Sequence, residues 1–148
     1  MIDPLHELYQ EVILDHSQNP RNFQKLEGAN KMAEGYNPLC GDRFTVFVKL
    51  ENDVIRDISF QGSGCAISKA AASMMTANLK GKTTAEVRRL FAEYRTMITT
   101  GELNRDAMGK LAVFAGVHHF PGRVKCAVLP WHAVAAALED QGKPVSTE

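Results

Sequence analysis

Arg43-Phe44-Thr45-Val46-Phe47-Val48-Lys49-Leu50-Glu51-Asn52-Asp53-Val54 is the stretch that decides the fold. Phe44, Val46, Val48 and Leu50 alternate with Arg43, Thr45, Phe47 and Lys49, the period of a half-buried strand. Asn52-Asp53 fits a two-residue hairpin turn. A second strand follows over 54–61, with Ile58 and Phe60 facing inward. Arg56 spoils the alternation at its start. Two linking residues allow no crossover, so the two strands are antiparallel.

Downstream the period changes to that of helices. Gly62-Ser63-Gly64 lets the backbone turn sharply, and Cys65 stands at the entry to a helix over 66–80. Ala66, Ser68, Ala70, Ala71, Ala72 and Ser73 keep that helix slim, so it is expected to be the central buried one. Gly81 suits its C-terminal cap. Thr83-Thr84-Ala85-Glu86 is a capping-box signature, and Val87, Leu90, Phe91, Tyr94 and Ile98 form the stripe of the next helix, ended by Thr99-Thr100-Gly101. Asn104 is expected to cap a shorter helix carrying Met108, Leu111, Ala112 and Ala115 and closed by Gly116. His118-His119-Phe120-Pro121-Gly122 reads as a loop delivering Cys126, with both histidines facing solvent. A last helix carries Trp131, Val134, Ala135 and Leu138. Proline is tolerated only in a first turn, so Pro130 places that helix start close to Cys126. The polar tail from Gly142 is expected to fray.

Upstream, Leu5, Leu8, Tyr9, Val12 and Ile13 recur at helical spacing over 4–16. Pro20 ends that helix, and His16-Ser17-Gln18-Asn19-Pro20-Arg21-Asn22 reads as an ordered turn. An edge strand is possible near Lys31–Tyr36.

The 148 residues suffice for one domain with its own core. The formal net charge is zero, which argues against nucleic acid or an anionic membrane as the main partner. No stretch approaches the roughly 18 apolar residues that span a bilayer. The start, Met1-Ile2-Asp3-Pro4, lacks the layout of a signal peptide, so the expected location is the cytoplasm, where thiols stay reduced. Three cysteines, an odd number, point to ligation or reactivity rather than bridging.

Those cysteines carry the chemistry. Asn37-Pro38-Leu39-Cys40-Gly41-Asp42 packs a turn, a thiol and a carboxylate into six residues. Cys65 and Cys126 lie far along the chain, each in a short segment opening onto a helix whose positive end favours thiolate. Zinc takes four ligands, thiolate favoured and carboxylate allowed; Cys40, Asp42, Cys65 and Cys126 supply that number. With three thiolates and a carboxylate the site would carry about −2, and Arg123 and Lys125 are near in sequence to offset it. A carboxylate is a harder ligand than thiolate for this metal and suggests a site where one thiolate comes off to react. Spacing alone is weak support. Isolated cysteines are commonly small buried residues, and Gly-Asp before a strand is commonly just a turn. Arg123 and Lys125 could equally be a solvated loop face.

The motifs together reach further. Leu8-Tyr9, Ile13-Leu14-Asp15-His16, Asn19-Pro20-Arg21-Asn22, Asn37-Pro38-Leu39-Cys40-Gly41-Asp42, Phe60-Gln61-Gly62-Ser63-Gly64-Cys65-Ala66-Ile67-Ser68, Ser73-Met74-Met75-Thr76 and Arg123-Val124-Lys125-Cys126-Ala127 resemble the SufU branch of the NifU/IscU-like iron–sulfur assembly family. The resemblance spans about residues 5–140. It implies an α+β fold: a small three-stranded antiparallel sheet with helices packed mainly on one face, residues 1–148 forming one domain. It implies a Zn2+ site of Cys40, Asp42, Cys65 and Cys126 and a sulfur-accepting partnership with a cysteine desulfurase of the SufS type, ahead of downstream iron–sulfur assembly proteins. In that scheme a partner histidine displaces one zinc thiolate and the freed thiol attacks the desulfurase persulfide. Cys40 is the residue the family assigns to that task; spacing alone does not choose among the three. Arg123 matches the family's arginine near the zinc.

Two departures separate the branches. IscU-type scaffolds carry a histidine just before the third cysteine, where this chain has Lys125. Their Leu-Pro-Pro-Val-Lys chaperone motif is replaced by Phe120-Pro121-Gly122-Arg123-Val124-Lys125. The segment from about 95 to 120 is also longer, as in SufU. These favour zinc-dependent sulfur relay over a scaffold that assembles a [2Fe–2S] cluster on the same ligands, the runner-up. A purely structural zinc domain and a Cys–His hydrolase rank below both.

Overall fold

The computed structural model describes residues 11–38, 41–139 and 145–146. The sequence-derived helix over 4–16 lies partly outside these. Its described part, α1 (Glu11–Gln18), runs two residues further than the pattern predicts, because Pro20 disfavours helix only at the residue before it.

Three antiparallel strands form the sheet: β1 (Lys31–Asn37), β2 (Asp42–Glu51) and β3 (Val54–Ser63), with β2 in the middle. The possible edge strand is therefore a full one. The sheet carries one addition. Val145–Ser146, here β4, pairs parallel with Gly35 and Tyr36 of β1. Part of the polar tail is thus hydrogen-bonded to β1's outer edge rather than frayed.

The β2–β3 turn is at Asn52-Asp53, both with positive φ (51° and 66°), the backbone that a tight two-residue hairpin demands. Arg56 spoils the strand pattern for a physical reason. Lys49 pairs with Asp57 and Leu50 with Ile55, so Arg56 is the extra residue of a β-bulge. The bulge lets Ile55 and Ile58, three apart, both point inward and be buried.

Helices α2 (Ala66–Leu79), α3 (Thr84–Thr100), α4 (Arg105–Met108) and α5 (Pro121–Glu139) follow. The slim helix α2 is the central one: Ala70, Ala71 and Ala72 are all fully buried, and it packs against α1, α5 and β3. Its end is shaped by Gly81 at φ 88°. The capping box at α3 is complete, with Thr83 and Glu86 bonding each other's backbone N–H. Asn104 caps α4 by accepting from the Ala107 amide. That helix is shorter than its periodicity predicts. It breaks at Gly109, φ 51°, and the chain continues as a 3-10 helix over Gly109–His119. The apolar residues Leu111, Phe114 and Val117, three apart and all buried, match the three-residue turn of that tighter helix. His118 is not solvent-facing as expected; it is half-buried, its ring tilted against that of His119 with centroids 3.9 Å apart.

Helix α5 starts earlier than Pro130 suggests. Pro121 is its first residue, where a missing amide costs nothing, and Pro130 lies inside. There the ring removes the amide that would bond the Cys126 carbonyl. One residue on, the Tyr94 hydroxyl donates to the Ala127 carbonyl at 2.9 Å. Tyr94 also stacks on Trp131, centroids 4.5 Å apart, so α3 braces α5 where the proline weakens it.

The turn Asn19–Asn22 is ordered as expected. Ser73 of α2 accepts from the Arg21 amide at 2.8 Å and bonds His16 Nδ1 at 2.7 Å. The Asn22 carbonyl takes the Phe60 amide on β3. This turn ties α1 and the sheet edge to the central helix.

Candidate metal centre

Asn37 and Asp42 are partners at the end of the β1–β2 ladder, and strand pairing turns both side chains to the same, inner face. Asp42 continues the inward series of Phe44, Val46 and Val48, and is itself fully buried. A carboxylate at the core end of a strand needs donors. Its Oδ1 accepts from the Cys65 amide at 2.9 Å and from the Ser68 hydroxyl at 3.1 Å. Its Oδ2 lies 3.5 Å from Asn37 Nδ2.

The close approach of Asp42 to the β3–α2 loop requires the two glycines there. A Cβ on Gly62, which has φ 141°, would collide with the Arg43 carbonyl and with Phe44. A Cβ on Gly64 would sit 2.6 Å from both Asp42 Oδ1 and Ser68 Oγ. Cys65 follows as the residue capping α2, at the helix's positive end as predicted. No side chain caps this helix in the ordinary way; the Cys65 amide is given to Asp42 instead.

Cys126 arrives on α5. The helix presses onto β1 at Gly35, where a Cβ would touch Leu129 and Ala133 at 3.1 and 3.3 Å. One turn before Leu129, and one inward position along β1 from Gly35, Cys126 meets Asn37: Nδ2 to Sγ is 3.8 Å. Cys126 was expected in a loop near a helix start. It is instead the sixth residue of α5 and fully buried, beyond the first turn where the helix dipole acts most. Arg123 and Lys125 belong to the same helix, not to a loop, and are half-buried.

One carboxylate oxygen of Asp42 and the sulfurs of Cys65 and Cys126 all lie within 4.8 Å of one another. Both cysteines are free thiols. Cys40 lies outside the described residues. Zn–S near 2.3 Å and Zn–O near 2.0–2.2 Å are the bond lengths an ion would require, and donors this close can reach one ion with small side-chain rotations. The donor set, two thiols and a carboxylate, suits zinc or iron–sulfur chemistry and not a hard cation. The residues therefore fit the metal that the resemblance implies.

The two sulfurs are electrostatically linked. The hydrogen bond from Cys126, aided by the Ser68 amide, pulls Cys65 down to about 6, against the opposing effect of its burial. Cys126 moves upward, because it keeps the proton it shares with Cys65, is buried and faces Asp42. Cys65 is thus the sulfur that gives up its proton more easily, and a cation in place of the shared proton would hold both sulfurs ionised.

The backbone around these donors faces water. Pro38, Gly41, Gln61, Gly62, Ser63, Gly64, Pro121 and Gly122 are exposed, so the half-buried Cys65 and the buried Asp42 and Cys126 sit at the floor of an accessible rim. Sequence reasoning missed Asn37 and Ser68 as members of the site. Asn37 was in view only as part of a turn, and Ser68 only as a small helix residue. The available signal was position: Ser68 is one helical turn after Cys65, and Asn37 pairs across the hairpin with Asp42.

Among the described residues no helix is long and apolar enough to cross a membrane. The profile of the NifU-like N terminal domain matches residues 8–127. The zinc-dependent sulfurtransferase SufU of Bacillus subtilis is 39% identical over 141 residues, covering 93% of this chain and 95% of that protein. The iron–sulfur cluster assembly scaffold protein IscU of Streptococcus pyogenes is 37% identical over 140 residues, covering 93% and 87%. Among solved structures, one described as an iron–sulfur cluster assembly scaffold for the SUF system of Fervidobacterium islandicum superposes with TM-score 0.85 at 36% identity, covering 90% of this chain and 98% of that one. The N-terminal part of a NifU-like protein from Brucella abortus gives TM-score 0.86 at 23% identity, covering 93% and 96%, a likeness of fold.

Proposed function

Since the chain belongs to the family of NifU-like N terminal domains, we propose that it accepts persulfide sulfur from a cysteine desulfurase and relays it into iron–sulfur cluster assembly. Residues 1–148 act as one such domain, in the cytoplasm, with downstream iron–sulfur assembly proteins as further partners. The observation that carries this reading is the meeting of Asp42, Cys65 and Cys126 at the floor of an exposed rim.

Cys40 is the proposed fourth ligand and the acceptor. It is two residues from Asp42, so the backbone limits its Cα to about 7 Å from that of Asp42. Zinc, when bound, would keep the cysteines ionised at neutral pH and fix their directions. The rest is done by the chain. The Cys40 thiolate attacks the terminal sulfur of the desulfurase persulfide; the sulfur–sulfur bond there breaks. The desulfurase cysteine departs as a thiolate, and Cys40 now bears the persulfide. Electrons balance, since one thiolate is consumed and one released. Asp42, Cys65 and Cys126 stay behind as the base of the site. Arg123 and Lys125, on the first turns of α5, offset its negative charge.

Lys125 supports relay, since the IscU-type pattern would put a histidine just before the third cysteine, where this chain has lysine. The similarity to the Streptococcus pyogenes scaffold supports the second reading, in which the same donors assemble a [2Fe–2S] cluster. Desulfurase turnover with and without this protein separates them. The expected result is stimulation by the zinc-loaded chain, abolished by Cys40→Ala. No stimulation, or equal stimulation by the variant, overturns the relay. A stable, transferable cluster after anaerobic reconstitution, without stimulation, favours the scaffold.

A further inference from the structure

Asp42 has two oxygens with unequal surroundings. Oδ1 receives the Cys65 amide at 2.9 Å and the Ser68 hydroxyl at 3.1 Å. A carboxylate oxygen offers about two lone-pair directions, so Oδ1 is saturated. Among the described residues, Oδ2 has only the long 3.5 Å approach of Asn37 Nδ2, whose amide is also 3.8 Å from Cys126 Sγ. Ser68 has a single proton, and the Cys65 carbonyl lies 3.1 Å away as a rival acceptor. The charged oxygen is the stronger acceptor. Ser68 Oγ is also 3.6 Å from Cys65 Sγ, so one hydroxyl touches two of the proposed ligands. Ser68 and Asn37 are both fully buried.

We propose that Ser68 is a positioning residue that holds Asp42 to coordination through one oxygen, Oδ2, by occupying Oδ1, with Asn37 setting the angle of Oδ2 beside Cys126. A free carboxylate can offer one oxygen or two to a cation. This one is pinned, so it does not turn to fill a position meant for sulfur. The inference rests on Asp42 being a metal ligand, as proposed above, but not on sulfur relay.

The test uses the full-length chain and zinc itself. Zinc affinity is measured by competition with a chromophoric chelator for wild type, Asp42→Ala, Ser68→Ala and Ser68→Thr. Loss of an outer partner of a ligand ordinarily weakens metal binding about 10- to 100-fold, and that is expected for Ser68→Ala. Ser68→Thr keeps the hydroxyl and should stay within about threefold of wild type, a rescue that loss of packing alone would not give. A crystal structure of zinc-loaded wild type provides a readout that needs no variant. Oδ2 on the metal with Oδ1 still bonded to Ser68 supports the proposal. Both oxygens on the metal, or wild-type affinity in Ser68→Ala while Asp42→Ala loses zinc, overturns it. Unchanged affinity in Asp42→Ala overturns the ligand assignment itself, and this inference with it.

Discussion

Gly64→Ala isolates the geometry on which the site depends. Gly64 needs no left-handed backbone, so alanine brings only a methyl group. That carbon would stand 2.6 Å from Asp42 Oδ1, 2.6 Å from Ser68 Oγ and 3.0 Å from Phe44 Cε2. Ordinary contact begins at 3.4 Å, so the shortfall at the carboxylate is 3.4 − 2.6, about 0.8 Å. Asp42 cannot yield freely, because Oδ1 is held by the Cys65 amide and by Ser68. Either the carboxylate turns or the loop carrying Cys65 lifts, and both separate the donors. The expected loss of zinc affinity is about 10- to 100-fold, or about 1.4–2.7 kcal/mol. The metal-free fold should lose about 1–3 kcal/mol from overpacking, partly offset by about 0.4–1 kcal/mol from stiffening the unfolded chain. Chelator competition reads the first quantity and urea unfolding of metal-free protein the second. Gly122→Ala is the control, since a Cβ there meets nothing within 4 Å, and its affinity should remain within about twofold of wild type. Wild-type zinc binding by Gly64→Ala would refute the idea that this close approach sets the donor geometry.

Other outcomes follow from the same structure. Tyr94→Phe leaves the buried Ala127 carbonyl without the hydroxyl that bonds it at 2.9 Å; urea unfolding should show a loss of about 1–3 kcal/mol. Burial, and secondarily Arg95, lower His132 below its ordinary 6.5. The unfolded chain therefore binds that proton more readily. The contribution of His132 to stability is complete above its unfolded value and is lost as pH falls through the folded one. Melting temperatures taken from about pH 7.5 down to about pH 5 should fall, and His132→Gln should flatten part of that slope. Elemental analysis of gently purified protein should find about one zinc per chain, retained by Gly122→Ala and lost in Asp42→Ala.

Local chemistry was legible in the sequence because it acts over a few residues. Alternation along Arg43–Leu50 gave β2, positive-φ residues at Asn52-Asp53 gave its turn, and Thr83 with Glu86 gave the start of α3. The run of alanines gave a central helix, since only small side chains allow close packing on all sides. Arg56 was visible as a fault but not as a bulge, because a bulge is defined by two strands and the pattern shows one. The helix start at Pro121 was missed because Pro121 reads as part of a loop and Pro130 as the proline of the first turn. What decided between them was contact with the sheet at Gly35 and the brace from Tyr94.

The sequence alone determined which side chains are capable of holding a soft metal. Only the tertiary structure decided that Asp42, Cys65 and Cys126 meet. It also decided that Cys126 comes from inside a helix and that Asn37 and Ser68 share the site. A side chain's identity is local, whereas its neighbours depend on strand register and helix docking. Those are set by the packing of residues distant from one another in the chain.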